Sequence, residues 1–279
     1  MAFGFKKKTK KDAALDSFKK AQKLHQEANY GRALKYYFNA LHLYTQELGE
    51  NHPDIASINN NIGLVYMDGD HIKEAQEYLE KALNIRTNTL DKNHPDIASS
   101  YLNLGILYTR LEKYDEALEY YQKSTKIFSE YYGENNTHLA YPYNNIGLLY
   151  SEKNKLKEAQ EYLEKALNIR INTLGEEHAD VGITYENIGN TYFKMKNYDT
   201  ALEYYEKSLW VTKELGKRNP LLAGSYYNIG KIYYTKTDFN KAEYYFEKSL
   251  KIRKYALGQQ HPLTIKTKNC LKQSQEKII

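Results

Sequence analysis

Apolar and polar residues alternate along most of the chain with the period of an amphipathic helix. Residues 73–90 are typical, and their apolar positions fall on one helical face while Glu77, Glu80 and Lys81 fall on the other. The apolar face consists of Tyr78, Leu79, Ala82, Leu83 and Ile85. The preceding segment has Ile62, Tyr66 and Met67 at helical spacing. The pattern therefore predicts a pair of helices, and the same pair recurs along the chain.

The repeated unit is 42 residues long, with one copy of 41. Its clearest mark is Asn, then Ile or Leu, then Gly, at 61–63, 103–105, 145–147, 187–189 and 228–230. A weaker copy precedes these five. The repeats are predicted at about 14–55, 56–97, 98–139, 140–181, 182–222 and 223–264. They occupy a domain of residues 13–261, followed by a C-terminal capping helix and chain end at 262–279.

The glycines and prolines indicate how the helices meet. A glycine inside a helix costs about 1 kcal/mol relative to alanine, so its recurrence in each first helix predicts close approach of the partner helix. Pro53, Pro95, Pro220 and Pro262 share one register and follow His or Asn. This order is typical of a polar cap followed by proline at the first helical position.

Two second helices are almost the same sequence. Residues 73–90 and 157–174 agree at seventeen of eighteen positions and differ at Thr87 against Ile171. Residues 117–124 and 201–208 also correspond closely. The pattern indicates duplication of a two-repeat block, which preserves every contact between neighbouring repeats. Function is therefore expected where the copies differ.

Paired helices with Gly and Tyr in the first, Ala in the second and LGENHPDIA at the joint resemble tetratricopeptide repeats (TPRs). The 42-residue length and the His-Pro joints are most similar to the kinesin light chain subtype. The resemblance implies an all-α fold, a right-handed superhelical α-solenoid of helix-turn-helix units. It also implies that first helices line a concave groove and that the chain is a protein-binding adaptor or scaffold.

The repeated asparagine is the first candidate for ligand contact. A carboxamide both donates and accepts hydrogen bonds, which suits it to hold the backbone of an extended peptide. In the family, matching residues line the groove and contact bound peptides. The alternative is that the asparagines bridge adjacent helices. The candidate residues are Asn61, Asn103, Asn145, Asn187 and Asn228.

Three residues further along each first helix, the chemistry changes through the chain. The position holds Leu64, Ile106 and Leu148, and then Asn190 and Lys231. One turn later come Asp68, Arg110, Glu152, Lys194 and Thr235. This gradient favours a partner with an apolar anchor and an acidic end. The candidate contacts are Asn190, Lys231, Arg110 and Lys194; the alternative is drift on a solvated surface.

Trp210 is the single tryptophan, in a slot that holds Asn84, Lys126, Asn168 and Lys251 in other copies. An exposed tryptophan can be an interface hot spot. The fifth copy is one residue short between Ala201 and Gly216, so the alternative is that Trp210 fills a local packing gap.

The sequence has no motif that would bring a nucleophile beside a base, and no phosphate-binding glycine loop. The joint histidines lie about one repeat apart and cannot converge on one ion. We therefore expect no enzymatic activity, no cofactor and no metal site.

Composition refines this picture. Net charge is +5, of which residues 1–12 contribute +4, so the body is nearly neutral and nucleic acid is not the expected partner. Residues 1–12 are expected to be a basic, disordered tail, open to nuclear import or membrane-surface contact. The single cysteine, Cys270, and the lack of a long apolar run favour a cytoplasmic chain that does not span a membrane.

The sequence thus predicts a non-catalytic adaptor that holds an extended peptide or partner segment in the groove of first helices. The alternative function is a self-associating structural scaffold, a homo-oligomer formed through the terminal repeats or the Trp210 surface.

Overall fold

Helices make up the described part of the chain, which in this computed structural model comprises residues 9–214, 216 and 219–278. Within these residues there are thirteen α-helices and no strand. They are α1 (Lys10–Gln26), α2 (Tyr30–Leu48), α3 (Pro53–Asp68), α4 (Ile72–Thr89), α5 (Pro95–Arg110), α6 (Tyr114–Tyr132), α7 (Thr137–Glu152), α8 (Leu156–Leu174), α9 (Ala179–Lys194), α10 (Tyr198–Glu214), α11 (Pro220–Thr235), α12 (Phe239–Ala256) and α13 (Pro262–Ile278). The expected all-α fold is confirmed.

The chain forms two compact units, an N-terminal unit (Met1–Glu134) and a C-terminal unit (Asn135–Ile279). Odd-numbered helices α1 to α11 are the first helices of the repeats, and even-numbered helices are the second. In the N-terminal unit α3 contacts both α1 and α5, and in the C-terminal unit α9 contacts both α7 and α11. Each unit therefore has a first-helix face, on which equivalent positions of successive repeats lie side by side.

The repeated glycine of first helices α3 to α11 packs directly against the second helix of its repeat. A Cβ atom on Gly63 would lie 2.7 Å from Leu79 Cγ, and one on Gly147 would lie 2.7 Å from Leu163 Cγ. At Gly189 the nearest atom would be Tyr205 Cε1, at 2.6 Å. These distances are too short for a side chain, so the expectation of close helix approach is confirmed.

The histidines of the joints cap helices. His52, His94 and His178 each accept, through Nδ1, a hydrogen bond from the backbone N–H two residues later. Pro53 and Pro95 follow at the first helical position, where no N–H donor is needed. The expected cap-and-proline joint is confirmed.

Two boundaries differ from the sequence-based expectation. From α3 to α11, the first helices begin three residues before the predicted repeat starts, as at Pro53 against residue 56, because the polar cap of each joint starts the helix. In addition, α1 begins at Lys10, so residues 10–12 are helical and not part of a disordered tail. Thr9 and Asp12 form a capping box that starts this helix. Residues 1–8 of the expected tail lie outside the described residues.

Candidate functional site

The repeated asparagines lie on the first-helix faces, and three of them donate to a side chain of the preceding first helix. Asn103 Nδ2 donates to Asn60 Oδ1 at 2.8 Å. Asn187 Nδ2 donates to Asn144 Oδ1 at 2.9 Å. Asn228 Nδ2 donates to Glu186 Oε1 at 2.8 Å. These amide donors join successive repeats, which supports the helix-bridging alternative.

The other two asparagines are partly buried at the same register. Asn61 Nδ2 donates to the carbonyl oxygen of Ser57 at 2.7 Å, within its own helix. Asn145 occupies the corresponding place on α7. The series continues into α13, where Cys270 takes the asparagine position and its Sγ lies 3.5 Å from the Tyr227 hydroxyl. The partners of this series share no single residue type, which is why sequence reasoning did not identify them.

Arg110 and Lys194, which sequence reasoning assigned to recognition of an acidic ligand, are each neutralised within their own unit. Arg110 Nη1 donates to the carbonyl oxygen of Met67, and its Nη2 lies 3.9 Å from Asp68 Oδ1. A cation at the C-terminal end of a neighbouring helix interacts favourably with the unpaired carbonyls and the helix dipole.

Lys194 repeats this arrangement 84 residues later. Its Nζ donates to the carbonyl oxygen of Ser151 at 3.1 Å and to Glu152 Oε1 at 3.0 Å. Both pairs join a cation to an acid 42 residues earlier, so the signal was present in the sequence as opposite charges at one register. The geometry gives both cations a role in joining repeats.

Lys231 has a different environment. It lies on α11 with its Nζ 4.3 Å from the centre of the Phe193 ring, and it forms no ion pair with any described residue. Burial and then the nearby Lys266 ammonium lower the pKa of Lys231. Lys266, on α13, was not among the predicted residues. The structure therefore brings two cations close together at this end of the first-helix face, and no carboxylate of the described residues forms an ion pair with either.

Asn190, the remaining predicted contact, is partly buried on α9 and accepts a hydrogen bond from the Tyr205 hydroxyl at 2.8 Å. That bond leaves the amide nitrogen of Asn190 for another partner.

Glu186 is a polar residue of this face that sequence reasoning missed. It stands where Asn60 and Asn144 stand in other copies, and Gly224 leaves room for it: a Cβ there would lie 3.0 Å from either Glu186 oxygen. Burial raises the pKa of the Glu186 carboxyl to about 7, although Arg253 and the Asn228 hydrogen bond act in the opposite direction. The sequence signal for Glu186 was an acidic residue at a position that holds asparagine in two other copies. A second signal was Gly224, in the next repeat, at a position that holds no glycine in the other copies.

Apolar side chains occupy the other end of the face in the C-terminal unit. Leu148 is 36% exposed and Tyr141, two helical turns earlier on α7, is 42% exposed. In the N-terminal unit Leu64 and Ile106 are partly buried. The C-terminal unit therefore carries an apolar end at α7 and a cationic end at α11 and α13.

Trp210 lies on second helix α10 and is 49% exposed. The slot is exposed in other copies too, at Asn84, Lys126, Asn168 and Lys251. Trp210 therefore does not fill a buried gap, and its role in an interface stays a prediction.

No group of three or more His, Cys, Asp or Glu side chains within the described residues is placed to hold a metal ion. Among the same residues, no helix is long and apolar enough to cross a membrane.

A family model for the tetratricopeptide repeat matches the chain in five overlapping stretches, residues 13–88, 54–130, 96–172, 138–209 and 180–254. The chain therefore belongs to the tetratricopeptide repeat family, whose members are generally protein-interaction modules and typically non-enzymatic. No catalytic family is indicated. No curated protein matches the sequence.

Solved structures with the same fold include kinesin-light-chain-like proteins. BtubC (BKLC) from P. vanneervenii is 23% identical, over 90% of this chain and 94% of that one, with a TM-score of 0.66. A Podosopora anserina putative kinesin light chain with nearly identical TPR-like repeats is 21% identical, over 74% of this chain and 98% of that one, with a TM-score of 0.61. The apo form of RapI is 18% identical, over 95% and 98%, with a TM-score of 0.65. At these identities the similarity establishes the fold alone.

Proposed function

We propose that the chain is a non-catalytic adaptor that binds an extended partner segment along the first-helix face of the C-terminal unit. The observation that carries this proposal is the contrast between Lys231 and Lys194. Lys194 is paired with Glu152, whereas Lys231 is partly buried beside Lys266 without a carboxylate. A partner carboxylate would supply the charge that this site lacks.

The opposite end of the same face supports an apolar anchor. Tyr141 and Leu148 are exposed there, on the first helix of the unit. The partner is therefore an extended peptide with an apolar residue near α7 and an acidic residue near α11 and α13. Asn145, Asn187 and Asn190 lie between the two ends and are the proposed backbone contacts, with Asn190 having its amide nitrogen available.

Selection of peptides from a random display library tests this proposal. Wild type is expected to enrich peptides that carry a carboxylate several residues from an apolar side chain. Lys231→Glu is expected to lose the acidic preference, because the substitution replaces attraction by repulsion. Lys157→Glu is the matched control, since it makes the same charge change at an exposed position of second helix α8.

Loss of the acidic preference in Lys231→Glu alone would support the proposal. Selection of the same peptides by wild type and both variants would contradict it. Circular dichroism should first show equal helix content in the three proteins.

Self-association is the second candidate, and the terminal helix favours it. Leu263, Ile265 and Ile278 of α13 are 43%, 42% and 42% exposed. A second copy could cover these side chains. Sedimentation across a concentration series separates the two functions, because a peptide adaptor stays at one mass and a scaffold grows with concentration.

A further inference from the structure

A cleft on the second-helix side of the C-terminal unit has an apolar floor and a cationic border. It lies between α10, α11 and α12. Its floor is formed by Leu222, Tyr226 and Ile252, which are 3%, 9% and 8% exposed. Its border is formed by Lys213, Lys248, Lys251 and Tyr255. No carboxylate among the described residues lines it.

The corresponding cleft of the third repeat is a natural comparison. Its lining includes Tyr101, Lys123, Lys126, Ile127 and Glu130. The first four match Tyr226, Lys248, Lys251 and Ile252 in residue type and register. The fifth differs, because Tyr255 stands where the third repeat has Glu130. The two clefts therefore share four lining residues and differ in the rest: Lys92 and Asn93 line only the third-repeat cleft, and Lys213 and Leu222 line only the sixth-repeat cleft.

The exchange of Glu130 for Tyr255 changes the charge balance beside the conserved lysine. In the third repeat Lys126 Nζ lies 4.0 Å from Glu130 Oε1. In the sixth repeat Lys251 has Tyr255 at that position and forms no ion pair with a described residue. Glu247, one turn before Lys251, does not line the cleft. The ammonium group of Lys251 is therefore available to a partner's carboxylate.

The two lysines have different roles. Lys248 Nζ lies 5.3 Å from the centre of the Tyr226 ring, and Lys123 lies 5.7 Å from Tyr101 in the same way. This cation–π contact recurs between repeats and is a packing feature. Lys251 has no such contact, so it is the better position at which to test binding.

The border also has the character of a protein interface. Tyr255 is 65% exposed, and Trp210 lies on α10 one helical turn before Lys213, on the same face. Exposed tryptophan and tyrosine beside a recessed apolar floor are typical of interaction hot spots. A protruding side chain can reach this floor, whereas a flat bilayer surface cannot.

We propose that this cleft is a second binding site, for an acidic amphipathic segment of a partner protein. Its apolar side chains would pack on Leu222 and Ile252, and its carboxylates would pair with Lys213 and Lys251. The site is separate from the first-helix face and does not depend on the function proposed above.

The test uses two labelled peptides, EDLLEELFEEDL and KKLLKKLFKKKL, which differ only in the sign of their charge. Fluorescence anisotropy gives the affinity, and emission from Trp210, the single tryptophan, reports whether binding occurs beside Lys213. Wild type is expected to bind the acidic peptide with a shift in Trp210 emission and to bind the basic peptide about tenfold or more weakly.

Tyr255→Glu is the decisive variant, because a carboxylate there would pair with Lys251 as Glu130 pairs with Lys126. It is expected to lower the affinity for the acidic peptide by about tenfold, and Lys251→Glu is expected to lower that affinity by at least as much. Tyr131→Glu is the control, since it makes the same substitution at another exposed tyrosine of the chain. It should leave the affinity unchanged.

Three results would overturn the proposal. They are equal affinity of wild type and Tyr255→Glu, absence of acidic-peptide binding up to about 1 mM, and binding to phosphatidylserine vesicles but not to the peptide. Equal circular dichroism spectra of the variants exclude loss of folding as the cause of weaker binding.

Discussion

Helices α4 and α8 are nearly identical in sequence and their arginines donate to equivalent carbonyl oxygens, whereas α9 and α11 keep the backbone arrangement of a first helix and change the polar groups on it. Arg86 of α4 donates to the Asp96 carbonyl oxygen at 3.0 Å, and Arg170 of α8 donates to that of Asp180 at 3.0 Å. In the later repeats the frame instead carries Glu186 and Lys231 at register positions that hold neutral side chains elsewhere. The packing face of the repeat is thus fixed, whereas the polar groups on the first-helix face vary.

The strongest test of the fixed frame is Gly147→Leu. A Cβ at Gly147 would lie 2.7 Å from Leu163 Cγ and 3.1 Å from the Ala159 carbonyl oxygen. The leucine can move, but the backbone oxygen cannot do so without displacing α8. We expect a loss of about 3 kcal/mol in the free energy of unfolding, measured by urea denaturation.

Gly31→Ala is the control for this prediction. Gly31 is helical and has no atom within 4 Å of an added Cβ. It should gain about 0.5 kcal/mol, because alanine favours helix and restricts the unfolded chain. Similar stability of Gly147→Leu and wild type would refute the role assigned to the repeated glycine.

The same comparison explains what could be predicted from sequence. Gly147, Pro53 and the helical apolar faces act through local geometry, so their repetition was enough to place the helices. The Lys194–Glu152 pair joins side chains 42 residues apart, and its meaning depends on which helices are neighbours. Lys194 was predicted to be a ligand contact because its side chain was assumed to be exposed and unpaired.

Glu186 tests the variable part of the comparison. Its pKa of about 7 in the folded protein lies above the ordinary value of 4.5. The folded state therefore favours the protonated carboxyl, so this contribution to stability is full below about pH 4.5 and is lost as the pH rises through about 7. Glu186→Gln keeps the acceptor for Asn228 and removes the titration.

Near pH 8, we expect the free energy of unfolding of Glu186→Gln to exceed that of wild type by about 2 kcal/mol. The difference should shrink to about 0.5 kcal/mol near pH 4.5. Urea denaturation of both proteins across this pH range measures it. A difference that is constant with pH would show that Glu186 has an ordinary pKa.

The smallest expected effect concerns Lys194 and Lys231, two lysines of one face that differ in their partners. Lys194→Gln should cost about 0.5 kcal/mol, because it removes a half-exposed ion pair and a contact with the C-terminal end of α7.

Lys231→Gln should instead be neutral or stabilise the protein by about 0.5 kcal/mol, because burial and repulsion from Lys266 both disfavour the ammonium. Urea denaturation in low and high salt measures both, and salt should diminish the effect of each substitution. Equal losses from both substitutions would mean that Lys231 has a stabilising partner in the folded chain. If Lys194→Gln lowers the free energy of unfolding and Lys231→Gln raises it, Lys231 is kept at some cost to stability. That behaviour is expected of a residue whose favourable partner is a bound ligand.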